Sequence, residues 1–150
     1  METLVKIDLD SRIESTDPLI LELGCGTRSK PGRIGIDQLN LPGVDIVADL
    51  NLGFPFLPDD SVDEIHSKSF LEHIDELEFL MGEIWRVLKP GGKKYLFVPH
   101  FSNPYYYSDY THTRFFGLYT FEYFSKEQTR FKRNVPDFYV DYSFKTEDLT

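Results

Sequence analysis

The chain has 150 residues, 41% of them hydrophobic and 15% aromatic, which is enough for one folded core, too short for two, and excludes a disordered segment. Its net charge is −9, so it gains nothing from releasing phosphate counterions, and general nucleic-acid binding is disfavoured. No apolar run reaches a membrane span, the N-terminus lacks the charged and apolar regions of a signal peptide, and the single cysteine, Cys25, cannot close an internal disulfide; the expectation is a cytoplasmic protein that does not bind membranes.

Residues 1–18 form a polar lead with a few apolar positions, Leu4, Val5, Ile7, Leu9 and Ile13, closed by Asp17-Pro18. Proline forces its predecessor into extended geometry and so leads into a strand. The first predicted strand, Leu19 to Leu23, empties into Gly24-Cys25-Gly26, where missing side chains let backbone N–H groups approach a ligand. Glu22 puts a carboxylate near the carboxyl edge of a parallel sheet, where open α/β folds bind their ligands. About eleven residues beyond Gly26, Arg33 to Asp37 repeats the pattern of a short strand closed by an acid. A carboxylate there can accept both ribose hydroxyls of a nucleoside. Only about nine residues separate these strands, fewer than a parallel crossover normally needs, so the first helix is shortened or replaced by a turn around Pro31-Gly32.

Val44 to Asp49 is a third strand ending in an acid, and Asp49 either faces a ligand or caps the turn Asn51-Leu52-Gly53. Val62 to Ser67 is the fourth strand. Glu72-His73 lacks the i, i+4 spacing that puts two metal ligands on one helix face. Asp75 with Glu78 reads as a capping box, and Leu77, Leu80, Met81, Ile84, Val87 and Leu88 recur at helical spacing until Lys89-Pro90-Gly91-Gly92 ends the helix. Lys93 to Val98 is the fifth strand.

An aromatic segment, Pro99 to Phe116, follows at the carboxyl edge of the sheet, suited to apolar or cationic groups and so to substrate contact. His100 and His112 are its candidate general bases, with His100 first because it follows the strand directly. His100, Asp109 and His112 lack an evident fourth ligand, and no metal is assigned. Thr120 is placed to cap a short helix, and Lys126, Arg130, Lys132 and Arg133 read as a solvated helix face. Phe138 to Phe144 alternates as a half-exposed strand does; its open edge implies a truncated sheet or pairing between two copies as a homodimer.

Glu22-Leu23-Gly24-Cys25-Gly26, the strand-end acids, Pro58-x-x-Ser61-Val62-Asp63, Leu71-Glu72-His73-Ile74 and Arg86-Val87-Leu88-Lys89-Pro90-Gly91-Gly92 together resemble the class I S-adenosylmethionine-dependent methyltransferases, in the small-molecule, type 11 like branch. The resemblance runs from about Leu19 to about Ser125, with both ends shortened and with Arg28 and Ser29 where a third glycine usually falls. It implies an α/β fold, a Rossmann-like three-layer sandwich with a mostly parallel twisted sheet, truncated relative to the seven-stranded methyltransferase sheet, in one domain over residues 1–150. It also implies S-adenosyl-L-methionine as cofactor and a small-molecule acceptor. Carried over residue by residue, Gly24, Cys25 and Gly26 form the cofactor loop with Glu22 supporting it. Asp37 and Gln38 take the ribose, Asp49 and Leu50 the adenine, and Ser67 closes the fourth strand beside them. Leu-Glu-His-Ile is a structural signature next to the pocket. A cofactor-binding module that works only with a partner chain remains the alternative. A nicotinamide oxidoreductase shares the strand-loop logic, but the signatures after strands three to five do not match it.

Overall fold

In the computed structural model, which describes residues 1–150, six strands form one sheet. They are β1 (Leu4–Val5), β2 (Ile20–Leu23), β3 (Ile34–Asp37), β4 (Ile46–Val47), β5 (Val62–Lys68) and β6 (Leu88–Phe97), in the order β1-β4-β3-β2-β5-β6. β2 to β6 are mutually parallel, and β1 pairs antiparallel with β4. The chain builds outward from β2 through β3 to β4, then returns to lay β5 and β6 on the other side of β2. The order therefore reverses between β2 and β5, where loops leaving neighbouring strands part and open a crevice. This is the mostly parallel, Rossmann-like sheet that the family resemblance implied.

Two elements come from the lead. β1 is one, and α1 (Leu9–Glu14) is the other, started by the Asp8 carboxylate accepting the Ser11 N–H at 3.1 Å. α2 (Leu77–Val87) presents Leu80, Met81, Ile84 and Val87 to the sheet, where they pack with Leu21, Leu23, Ile34, Ile36, Ile46 and Ile65 in one buried cluster. The period of 3.6 on the helix and of 2 on the strands brings both sets to the same layer. The capping box is not formed: Glu76 is the N-cap without a side-chain bond, and Asn51 Oδ1 instead accepts from the Asp75 N–H at 2.9 Å and the Glu76 N–H at 3.3 Å. A tertiary neighbour thus holds the chain entering the helix through two N–H groups, of which only that of Asp75 belongs to the expected box. At the other end α2 passes directly into β6, and Pro90-Gly91-Gly92 is absorbed as an irregularity opposite Val62 to Glu64.

No helix joins β2 to β3. The loop lies on the sheet in its place, and Gly35 of β3 makes room, since a Cβ there would sit 2.8 Å from both Cys25 Sγ and Ser29 Oγ. On the same face, β5 and β6 present His66 stacked on Tyr95, with ring centroids 4.6 Å apart, and Phe97, which is 61% exposed.

Residues 138–144 are not a strand. Val140, Tyr142 and Phe144 pack against the main core as an extended strap, with the Phe144 N–H donating to Phe124 O at 2.8 Å and the Tyr142 hydroxyl to Glu78 O. An extended chain alternates its side chains whether or not it joins a ladder, which is why the period suggested a strand. Within the chain these residues join no ladder of the sheet. The Lys94 ammonium lies 3.7 Å from the Phe144 ring centroid, and burial pushes its pKa down to about 8. Thr120 opens a 3-10 turn, Thr120–Phe124, and its hydroxyl accepts the Gly117 N–H, while residues 126–133 form no helix. No helix is long and apolar enough to cross a membrane.

Arg86 fastens the loop before β5 to α2. Its guanidinium donates to Glu83 at 2.7 and 2.8 Å, to Phe54 O at 3.0 Å, to Leu57 O at 2.9 Å and to Asp59 at 2.9 Å. Arg86→Leu strips partners from two carbonyls and a half-buried carboxylate and is expected to cost about 2–3 kcal/mol, read as a lower urea midpoint; an unchanged midpoint contradicts this account. The Arg86 guanidinium also holds the Glu83 carboxyl below its ordinary pKa. That stability is present above the usual glutamate range and lost as pH falls through the depressed value. Glu83→Gln should therefore flatten the acid limb of a stability-against-pH curve.

Candidate functional site

A crevice of about 380 Å³ opens at the carboxyl ends of the strands. Gly24 lines it from the end of β2, Asp37 and Gln38 from β3, Ala48 to Asn51 from the chain after β4, and Ser69, Phe70, His73 and Ile74 from the chain after β5. Thr111 reaches it from the aromatic segment.

Gly24 has φ 63°, and a Cβ on it would lie 2.5 Å from the Phe70 ring. Both the left-handed backbone and the close approach of Phe70 require glycine. Gly26 also has a positive φ, 54°, and its N–H donates to Asp37 Oδ2 at 2.9 Å. Asp37 Oδ1 accepts the Leu39 N–H at 2.9 Å. One backbone donor on each oxygen orients the carboxylate and leaves each a further lone pair. Asp49 caps the turn Leu50–Leu52 through Oδ1, which accepts from the Asn51 N–H at 3.0 Å and Asn51 Nδ2 at 3.1 Å. The same residue that caps the turn also lines the crevice.

Glu22 lies outside the crevice, on the sheet face under the glycine loop. Its Oε2 accepts the Lys30 N–H at 3.0 Å and its Oε1 lies 3.5 Å from Arg33 Nη1, so it anchors the loop from beneath. Cys25 is buried with Val44 and Val47. Burial first, then the charges of Asp37 and Glu22, push its thiol pKa up to about 11, so the side chain stays a neutral packing group. Ser67 points to the core face beside Leu23, buried and with no partner for its hydroxyl, and does not line the crevice. β5 runs one residue further than the sequence suggested, to Lys68, and Ser69 at φ 52° then turns the chain, so Ser69 and Phe70 occupy the position expected of Ser67.

Neither candidate base lines the crevice. His100 is exposed and its Nδ1 lies 2.7 Å from Ser102 Oγ. His112 sits behind Thr111, with Nδ1 2.7 Å from Tyr106 O. The histidine on the wall is His73, whose Nδ1 lies 3.0 Å from Thr111 Oγ1. Only its place in Leu71-Glu72-His73-Ile74 hinted at this; Thr111 had no local signal. The aromatic segment contributes little to the wall: Tyr106 and Phe116 are buried, whereas Tyr105 and Tyr110 are 81% and 96% exposed.

The family described as "Methyltransferase domain" matches residues 36–96, from β3 through most of β6. A SAM-dependent methyltransferase of known structure from Archaeoglobus fulgidus is similar with a TM-score of 0.59 at 19% identity, over 77% of this chain and 64% of that one. The YcgJ protein from Bacillus subtilis is similar with a TM-score of 0.53 at 20% identity, over 73% of this chain and 62% of that one. The chain thus spans less than two thirds of the length of either structure. At such identities the likeness establishes the fold, which is that of the class I methyltransferases. No curated protein matches the chain.

Gly24→Ala would force a methyl into the Phe70 ring on a backbone that disfavours it. The expected loss is about 2 kcal/mol or more in chemical denaturation, and wild-type stability would contradict the assignment.

Proposed function

We propose that this chain binds S-adenosylmethionine in the crevice and directs its methyl group to a small-molecule acceptor. The observation that carries the reading is the meeting, at the switch point of the sheet, of the Gly24 bend with the Asp37 and Asp49 carboxylates from two neighbouring strands. Asp37 has free lone pairs for ribose hydroxyls, and Asp49 with Leu50 lies where an adenine ring would follow. The sulfonium is already an activated donor, so the protein has to hold the cofactor, exclude competing water and align the acceptor. On this reading no obligatory acid-base pair is required, in keeping with His100 and His112 lying off the wall.

A second reading, a cofactor-binding module completed by a partner, is favoured by the open sheet face at β5 and β6. Parallel strands are normally covered on both sides, whereas Tyr95 and Phe97 here are 48% and 61% exposed. Turnover by the chain alone on a metabolite panel, followed through S-adenosylhomocysteine release, separates the readings; binding without turnover favours the module.

Calorimetry with S-adenosylhomocysteine is expected to show one binding site, and no binding at millimolar ligand would sink the cofactor assignment. Asp37→Ala should weaken that affinity by about 2–3 kcal/mol, roughly 30- to 150-fold, the range of charge-assisted hydrogen bonds. Unchanged affinity would remove Asp37 from the ribose role.

A further inference from the structure

Behind the wall of the crevice, the turn Leu71–His73 is clamped to the end of the aromatic segment. Glu72 O accepts the N–H groups of Thr113 at 2.8 Å and Arg114 at 3.2 Å, and Arg114 Nε donates to Ile74 O at 3.1 Å. The clamp gathers Glu72, His73 and His112, and one ligand-type atom from each lies within 4.8 Å of the other two. The imidazoles meet edge to face with centroids 4.8 Å apart.

Both rings are oriented through Nδ1. That atom of His73 lies 3.3 Å from Thr111 O and 3.0 Å from Thr111 Oγ1, and that of His112 lies 2.7 Å from Tyr106 O. With Nδ1–H given to a carbonyl, Nε2 is left as the lone-pair atom in each ring, the arrangement that outer-shell partners impose on metal-binding histidines. Glu72 is 1% exposed and its Oε2 has no hydrogen-bond partner. A buried carboxylate oxygen without a donor is costly unless a cation or donor meets it. The Tyr106 hydroxyl is also buried and unpartnered, with its ring 4.7 Å from that of His112. Asp109 Oδ2 stands 3.5 Å from His112 Nε2, a second carboxylate beside the same nitrogen.

We propose that Glu72, His73 and His112 hold a divalent transition-metal ion, with a coordination position left open toward the crevice that His73 lines. Two neutral imidazoles and one carboxylate are the donor set of three-ligand zinc sites that keep an open position, and of the two-histidine, one-carboxylate sites of other first-row metals. At metal–ligand bonds of about 2.0–2.2 Å the donor atoms stand roughly 3.3–3.5 Å apart, within reach of small side-chain rotations from the present spacing. An anionic oxygen or sulfur of a molecule in the crevice could take the open position.

The test uses the full chain freed of metal by chelator, with zinc followed by calorimetry and cobalt by its visible absorption. One equivalent is expected to bind in the micromolar range or tighter. Glu72→Gln, which keeps shape and packing, and His112→Ala should each weaken zinc at least about a hundredfold. His66→Ala, on the opposite sheet face, should bind as wild type. No saturable binding, or wild-type affinity in both cluster variants with folding intact by circular dichroism, overturns the proposal. Because no cofactor enters the measurement, failure of S-adenosylhomocysteine to bind would leave this result standing, and the reverse holds equally.

Discussion

The bond from the Gly26 N–H to the Asp37 carboxylate, 2.9 Å long, is the constraint on which the site depends. It ties the bend leaving β2 to the tip of β3, so the two strands that open onto the crevice are held in register. The same carboxylate takes the Leu39 N–H and so orders the chain leaving β3 as well. A charged acceptor between two loops is stronger than a neutral one and directional enough to set the remaining lone pairs toward the crevice.

That tie substitutes for a missing layer. In most parallel sheets a crossover helix covers the strands and offers its N-terminus to the ligand. Here a short loop does the covering, held from above by Asp37 and from below by Glu22, over a glycine that leaves it room. The crevice is accordingly walled by a glycine bend and strand-end carboxylates, with no helix N-terminus from a β2–β3 crossover. The cost of the economy appears on the other side of β2, where His66, Tyr95 and Phe97 are left without a covering helix.

The far wall is built differently. Chain following β5 and chain following β6 are joined by backbone bonds at Glu72 O and by the Arg114 side chain at Ile74 O, and this junction sets His73 on the crevice while Glu72 is buried behind it. Aromatic side chains of the same segment serve mainly as packing or face solvent. The orienting contacts of the two histidines are carbonyls and a hydroxyl, groups that every sequence carries, so nothing in residue type announces them.

What the sequence determined by itself was local: apolar runs ending in acids, a glycine bend after the first of them, and a helix at period 3.6 ending before Pro-Gly-Gly. These are short-range steric and solvation preferences, and they were enough to locate β2 to β6 and α2 and to bring Gly24 and Asp37 to the crevice, whereas Gln38, Asp49 and Leu50 came from the resemblance to a known family. Tertiary structure decided what depends on contacts between distant segments. Asn51 rather than Asp75 caps α2, the alternating residues 138–144 became a strap because no ladder partner met them, Ser69 and Phe70 rather than Ser67 face the crevice, and His73 rather than His100 reaches its wall. Periodicity reports which face of a segment is buried; it carries no information on what buries it, and each of these outcomes turned on that partner.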